Sequence, residues 1–120
     1  MAKILVAEDN KLTRLSLGQF LRGKGYEIEL AEDGTQAIAL FNKDKFDLVI
    51  SDVVMPNGTG WDLLDHVQSS DASTPVLFMT AYALSASSSQ SNQPTELVFK
   101  PLVLTELLSK VENILASRKS

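Results

Sequence analysis

The sequence of 120 residues contains no cysteine and only one histidine, His66. Without cysteine the chain can form neither a disulfide framework nor a thiolate metal site. This absence is compatible with a reducing compartment, and we expect a cytoplasmic protein. The formal net charge of −4 argues against nucleic-acid binding through a broad basic face. Apolar runs such as residues 46–50 are far too short to cross a bilayer, and the N-terminus lacks a secretory pattern, so we expect no membrane segment.

Short β-rich runs alternate along the chain with longer segments of helical periodicity. The predicted strands are residues 3–7, 26–31, 46–50, 75–79 and 97–99. The first of these runs is almost continuously apolar, which is typical of a strand that is buried on both faces. Five βα units in succession predict an α/β fold, (βα)5, with helices on both faces of a parallel sheet. We expect one domain that spans residues 1–120.

Apolar spacing predicts the helices between these strands. The first contains Leu12, Leu15, Phe20 and Leu21 and stops at residues 23–25. The second runs from about residue 34 to residue 42 with Asp33 as its N-cap, the third from 61 to 68, and the last along a leucine-rich stripe over residues 104–115. The segment expected to hold the fourth helix of the repeat, about residues 83–95, is polar and serine-rich. We expect it to be atypical: short, irregular or mobile.

Ionisable and hydroxyl side chains follow the predicted strands at their carboxyl ends, the edge at which open parallel sheets bind ligands. They are Glu8 and Asp9, Asp52, Thr80 and Lys100. Three nearby carboxylates repel one another unless a cation lies between them, and oxygen ligands suit Mg²⁺. A carboxylate can also attack phosphorus and form an aspartyl-phosphate. The sequence therefore predicts a Mg²⁺-dependent phosphoryl site, where Lys100 and Thr80 would bind the phosphoryl oxygens.

Four short motifs occur in order, each at a strand end. They are residues 7–10, residues 52–56 with Gly60, residues 80–81 and residues 100–101. Together they resemble the motif set of response regulator receiver domains of two-component signalling, over residues 3–116. The resemblance implies a flavodoxin-like, three-layer sandwich whose parallel sheet has the order 2-1-3-4-5. It also implies a phosphorylation-dependent switch that catalyses only its own phosphotransfer and slow dephosphorylation, and is not a turnover enzyme.

The resemblance assigns roles to the acidic residues. It implies that Asp52 is both the phosphoacceptor and a Mg²⁺ ligand, that Asp9 binds Mg²⁺ directly, and that Glu8 acts on the metal through water. The backbone carbonyl of Val54 would be a further metal ligand. The phosphoryl donor would be a sensor histidine kinase or a histidine phosphotransfer protein, and a downstream effector protein or effector domain would receive the signal.

The resemblance also assigns a switch. Lys100 would pair with the phosphoryl group and would be joined to the following proline by a cis peptide bond. Thr80 would be the hydroxyl that moves toward the phosphoryl group. The second switch position, usually aromatic in the family, is Leu97 here. Phe99 precedes Lys100 directly and is expected on the face of the strand opposite to Lys100. The aromatic part of the switch is therefore expected to be absent.

Two positions that flank the predicted site suggest slow loss of the phosphoryl group. Val54 lies two residues after Asp52, and Tyr82 lies two residues after Thr80. An apolar branched side chain and a bulky aromatic one would both restrict the attacking water. We therefore expect the aspartyl-phosphate to hydrolyse slowly for a receiver.

Alternatives remain open at this point. Taken alone, Asp52 could be an ordinary turn aspartate, and the Glu8-Asp9 pair could simply favour the helix dipole. Leu97 and the serine-rich segment leave open a degenerate receiver that acts as a phosphorylation-independent interaction or dimerisation module. A homodimer through the last helix is also open. An FMN-binding flavodoxin is disfavoured, because the acidic loop after the first strand would repel phosphate.

Overall fold

The computed structural model describes residues 2–81 and 93–119. Its strands are β1 (Lys3–Ala7), β2 (Glu27–Ala31), β3 (Leu48–Asp52), β4 (Val76–Thr80) and β5 (Glu96–Phe99). Its helices are α1 (Lys11–Gly23), α2 (Gly34–Lys43), α3 (Gly60–Ser70) and α4 (Leu104–Lys119). The segment expected to be atypical, about residues 83–95, lies almost entirely outside the described residues, as does Tyr82.

All five strands are parallel and lie in the order β2-β1-β3-β4-β5. The predicted flavodoxin-like α/β fold is therefore confirmed. The chain moves outward from β1 to β2 and then crosses to the other side of β1 to form β3. Strand order thus reverses between β1 and β3, and the crevice beyond their carboxyl ends is where a fold of this kind binds ligands.

The strands separate two apolar cores. Leu5 and Ala7 of β1 face the core that contains Leu63 of α3. Ile4 and Val6 face the opposite core, which contains Leu107 of α4. Both faces of the sheet are therefore covered, and this explains why the strand sequences are nearly continuous apolar runs and do not alternate with polar residues.

Strand β3 differs from its predicted range at both ends. Strand β3 begins at Leu48, two residues later than expected, because Asp47 binds the start of β1 instead of pairing along the strand. The Asp47 amide donates to the Lys3 carbonyl at 2.7 Å, and the Lys3 amide donates to the Asp47 carboxylate at 2.8 Å. At its other end the strand continues to Asp52, so the predicted phosphoacceptor is its last residue.

Helix α1 forms where the apolar spacing predicts it, but two of its leucines do not face the core. Leu12 is 78% exposed and Leu15 is 49% exposed. The buried face consists of Leu17, Gly18 and Leu21. A Cβ at Gly18 would lie only 3.1 Å from a methyl group of the β2 side chain Leu30, so the glycine permits close packing of helix on sheet.

Candidate functional site

The fold brings the predicted site residues to one edge of the sheet. Glu8 follows β1 directly and is fully buried, and Asp52 closes the neighbouring strand β3 with 8% exposure. Thr80 ends β4 with 3% exposure, and its neighbour Met79 is in register with Asp52. Polar groups this deeply buried need partners, because an unpaired buried charge is strongly unfavourable.

Lys100 supplies the central contact of the site. Its Nζ donates to Asp52 Oδ2 at 2.8 Å and to Glu8 Oε1 at 3.1 Å. The main-chain amide of Lys100 donates to the Thr80 carbonyl at 2.8 Å, which ties the end of β5 to the end of β4. The peptide bond between Lys100 and Pro101 is cis, as the resemblance implied. One ammonium group therefore bridges carboxylates that are 44 residues apart in sequence.

The remaining oxygens of the two buried carboxylates accept main-chain hydrogen bonds. Asp52 Oδ1 accepts from the Val53 amide at 2.9 Å, and Glu8 Oε2 accepts from the Asn10 amide at 3.1 Å. Burial raises the pKa of the Glu8 carboxyl, and the nearby Asp52 carboxylate raises it further, against the opposing effects of the Asn10 amide and Lys100. Burial beside a second carboxylate thus disfavours the charged form of Glu8.

At Lys100 the surroundings favour the charged form of the side chain. Burial lowers the pKa of its ammonium group, but hydrogen bonds to Asp52 and Glu8 outweigh burial, and the pKa is raised overall. The lysine is therefore held in its charged form over the whole physiological range. A permanent positive charge that touches Asp52 is suited to binding an anionic group attached to that carboxylate.

The three acidic side chains fit a divalent metal. Carboxylate oxygens of Glu8, Asp9 and Asp52 all lie within 4.8 Å of one another. A single ammonium cannot neutralise three carboxylates, so an excess of negative charge remains. Every donor is a hard oxygen, and Asp9 is exposed to solvent, which leaves room for the waters that Mg²⁺ retains. The residues present therefore fit Mg²⁺ better than a softer metal.

The loop between β3 and α3 packs tightly against its neighbours. The Gly60 amide donates to the Val53 carbonyl at 2.8 Å, and a Cβ at Gly60 would lie 2.4 Å from the Asp52 carbonyl oxygen. At the far side, the Gly34 amide at the start of α2 donates to the Gly58 carbonyl at 3.1 Å. Val54 lies within this loop with a side chain that is 67% exposed.

The residues assigned to the switch have different surroundings. Leu97 is partly buried and packs against the core that contains Phe78, and Val98 is buried in the opposite core. Phe99 is 54% exposed. Trp61, which follows Gly60, packs edge-on against the Phe78 ring, with the ring centroids 5.1 Å apart. Trp61 is thus an intrinsic fluorophore directly after the loop between Asp52 and α3.

Arg14 also contacts the site, although no pattern in the sequence predicted it. Its Nη1 donates to the Glu8 carbonyl oxygen at 2.8 Å and lies 3.4 Å from the Asp9 carbonyl oxygen. The signal that could have found it is positional, because a long cation in the first turn of a helix can reach back over the preceding loop. His66, by contrast, lies away from the acidic cluster and contacts Asn42 on α2 at 2.7 Å.

Over the described residues, none of the helices combines the length and apolarity needed to cross a bilayer.

Comparison with known proteins gives consistent matches. Residues 4–112 match the family model described as the response regulator receiver domain. Among curated relatives, the transcriptional regulatory protein RprY of Bacteroides fragilis is 33% identical over 94% of this chain and 49% of its own length. PcoR of Escherichia coli is 30% identical over 100% of this chain and 54% of its own length. The chain therefore spans about half the length of these relatives.

Solved structures agree with this result. The chemotaxis protein CheY4 of Vibrio cholerae superposes with a TM-score of 0.85 at 33% identity, covering 95% of this chain and 98% of that chain. The response regulator TrrA of Thermotoga maritima, solved in complex with Mg²⁺ and BeF, superposes with a TM-score of 0.86 at 32% identity, covering 95% of this chain and 99% of that chain.

Proposed function

Since this chain belongs to the response regulator receiver domain family, we propose that it accepts a phosphoryl group on Asp52 in a Mg²⁺-dependent reaction and thereby changes its binding to a partner. The observation that carries the proposal is the bridge from Lys100 Nζ to both Asp52 and Glu8, at 2.8 and 3.1 Å, beside a third carboxylate. This arrangement places a nucleophile, a fixed counter-charge and a set of hard oxygen ligands within one small volume. A degenerate receiver is not supported, because the acidic cluster and Lys100 are intact and in contact.

In the proposed reaction the donor is a phosphohistidine on a sensor histidine kinase or a histidine phosphotransfer protein. A carboxylate oxygen of Asp52 forms a bond to phosphorus while the bond from phosphorus to the imidazole nitrogen breaks. The nitrogen keeps the bonding electron pair and is protonated from solvent. The domain is a switch and not a turnover enzyme, because it transfers the phosphoryl group to itself and loses it only slowly.

The residues around Asp52 would share the charge of the transferred group. Asp9 would bind Mg²⁺ directly, Glu8 would act through water, and Val54 would contribute its backbone carbonyl. The metal, when bound, supplies positive charge that offsets the phosphoryl oxygens. Lys100 would exchange its contact with the Asp52 carboxylate for one with a phosphoryl oxygen. The buried hydroxyl of Thr80, one strand away, would bind another.

The output of the switch is a change in partner binding. The curated relatives named above are transcriptional regulatory proteins about twice the length of this chain. We therefore propose that the signal passes to an effector protein or an effector domain in the cytoplasm, and that this domain does not itself contact nucleic acid. A homodimer, and a single domain over residues 1–120, stay predictions.

The lifetime of the phosphoryl group is a finer part of the proposal. Val54, two residues after Asp52, is 67% exposed, and an apolar side chain at this position would restrict the attacking water. We expect Val54→Asn to accelerate dephosphorylation, because an amide can orient water. Decay of the phosphorylated protein, followed after removal of the donor, measures this effect. Equal decay rates for the variant and the wild type would contradict the expectation.

The experiment that tests the proposed function is phosphorylation with acetyl phosphate, followed by intact mass. Wild-type protein should gain one phosphoryl group with Mg²⁺ and none with EDTA. Asp52→Asn should gain none, whereas Asp44→Asn, which alters an aspartate at the opposite edge of the sheet, should behave as wild type. Trp61 fluorescence with beryllofluoride provides a second readout. Absence of an adduct on wild type, or an adduct that persists in Asp52→Asn, would reject the proposal in favour of a phosphorylation-independent module.

A further inference from the structure

Arg14 holds the main chain that carries two of the acidic residues. Its guanidinium lies over the loop between β1 and α1, where Nη1 donates to the Glu8 carbonyl at 2.8 Å and approaches the Asp9 carbonyl at 3.4 Å. The side chain is half-buried, so part of this interaction is shielded from water. A guanidinium is planar and permanently charged, and it can hold two acceptors in a defined relative orientation.

The contacts of Arg14 are to carbonyl oxygens and not to the carboxylates themselves. The Glu8 carboxylate has other partners, Lys100 on Oε1 and the Asn10 amide on Oε2. The loop is also tied at its start, where the Glu8 amide donates to the Ala31 carbonyl at 3.0 Å. Arg14 therefore orders the loop without occupying the oxygen atoms that would face a metal.

We propose that Arg14 is a positioning residue that fixes the main chain at Glu8 and Asp9 so that their carboxylates converge with that of Asp52. The inference rests on the proposed Mg²⁺ site, and it adds a residue that lies outside the assigned ligands and switch. Loops that carry metal ligands need such support, because each ligand must be held in place against the repulsion of its neighbours.

Two physical effects of Arg14 on Mg²⁺ have opposite signs. As a simple positive charge near the site it would repel the metal, so its removal would tighten binding. As a support for the loop it lowers the cost of bringing the carboxylates together, so its removal would weaken binding. Loss of comparable supporting contacts typically weakens metal binding by about 10- to 100-fold. The sign of the change in Mg²⁺ affinity therefore separates the two effects.

The chain contains a matched control on the same helix. Arg22 donates from Nη2 to the Ile28 carbonyl at 3.0 Å, which is the same kind of contact between a guanidinium and a main-chain oxygen but is far from the acidic cluster. Arg14→Met and Arg22→Met remove the same charge; the first removes contacts to the Glu8 and Asp9 carbonyls, and the second removes one contact to the Ile28 carbonyl. We expect Arg14→Met to raise the Mg²⁺ dissociation constant about 10-fold, by Trp61 fluorescence titration, and Arg22→Met to leave it unchanged.

Amide hydrogen exchange in the metal-free protein gives a readout independent of the metal. The amides of Asp9 and Asn10 should exchange faster in Arg14→Met than in the Arg22→Met control. Arg14→Lys, which keeps the charge but not the planar fork, should give intermediate values, and it serves if Arg14→Met does not fold.

Several outcomes would overturn the inference. Unchanged or tighter Mg²⁺ binding in Arg14→Met would show that Arg14 acts only as a charge or not at all. An equal loss in Arg22→Met would show a general effect on the fold. If the wild type fails to bind Mg²⁺, the proposed function fails. Amide exchange at Asp9 and Asn10 then tests the positioning role by itself. Faster exchange in Arg14→Met supports that role, and unchanged exchange rejects it.

Discussion

Replacing Gly34 with alanine should destabilise the protein, although a glycine-to-alanine change at an ordinary helical position stabilises by about 0.4–1 kcal/mol. Gly34 is the first residue of α2, and a Cβ there would lie 2.3 Å from the Gly58 carbonyl oxygen and 2.5 Å from its carbon. The obstacle is main chain, so no side-chain rotation relieves it. The loop after Asp52 would have to move away from the helix.

The magnitude follows from what holds that loop. The Gly34 amide donates to the Gly58 carbonyl at 3.1 Å, and the Thr35 amide and hydroxyl both donate to the Asn57 carbonyl, at 3.0 and 2.8 Å. Each such bond contributes roughly 1 kcal/mol net, and residual overpacking costs roughly 1–3 kcal/mol. With only the Gly34 bond broken, and after the ordinary gain from alanine is subtracted, we expect a net loss of about 1–4 kcal/mol. For a domain of this size the melting temperature would fall by roughly 10 °C.

Gly23→Ala is the matched control, because a Cβ at this last residue of α1 would meet nothing within 4 Å. It should stabilise the protein by about 0.4–1 kcal/mol. Urea unfolding of both variants and the wild type, followed by Trp61 fluorescence and by circular dichroism, measures the difference. If Gly34→Ala is as stable as the wild type, the close approach of α2 to the loop is not a constraint on this protein, and the reasoning fails.

Three further predictions concern the metal, the core and one tyrosine. Mg²⁺ at 100 times its dissociation constant should raise the free energy of unfolding by about 2.7 kcal/mol over protein in EDTA, and an equal rise in potassium chloride of the same ionic strength would contradict specific binding. Leu107→Ala, at a fully buried position, should lower the free energy of unfolding by about 2–5 kcal/mol, whereas Leu12→Ala, at a position that is 78% exposed, should change it little; equal losses in urea titrations would contradict the assigned faces. Burial, assisted by the Glu112 carboxylate, raises the pKa of Tyr26, so the stability this residue contributes is complete below the ordinary tyrosine pKa and is lost as pH rises through the raised one. Ultraviolet titration of tyrosinate in a Tyr82→Phe background should therefore give a raised midpoint that falls in Glu112→Gln, and an unshifted midpoint would contradict it.

Much of the fold could be predicted from the sequence because its signals are local. Strand β1 spans the predicted residues, and α2 begins at Gly34 after the predicted N-cap Asp33, whose carboxylate accepts from the Gln36 amide at 2.8 Å. Capping and apolar periodicity depend on residues only a few positions apart, so both can be recognised in the sequence. The start of β3 was predicted too early because the partner of Asp47 is Lys3, which is distant in sequence.

The helix faces show the limit of periodicity. The spacing of Leu12 and Leu15 indicates a helix, but both side chains are largely exposed, and Leu17 and Leu21 fill the core. Apolar residues on more than one side of a helix leave its rotation undetermined until the sheet is in place. The close contact of Gly18 with a β2 side chain decides that rotation, and only the tertiary structure shows it.

Some features of the site also follow from the sequence, and others only from the tertiary structure. The sequence by itself determined which residue types stand at the strand ends, and because parallel strands share a carboxyl edge it also determined that these residues lie near one another. Only the tertiary structure decided which groups touch. Lys100 bridges Asp52 and Glu8, and Arg14 contacts two main-chain carbonyls. Gly34 packs against the loop after Asp52 and donates a hydrogen bond to it. The physical reason is one of scale. Strand and helix patterns arise from neighbours a few residues apart, whereas hydrogen bonds of about 3 Å join groups that come together only when the whole sheet is formed.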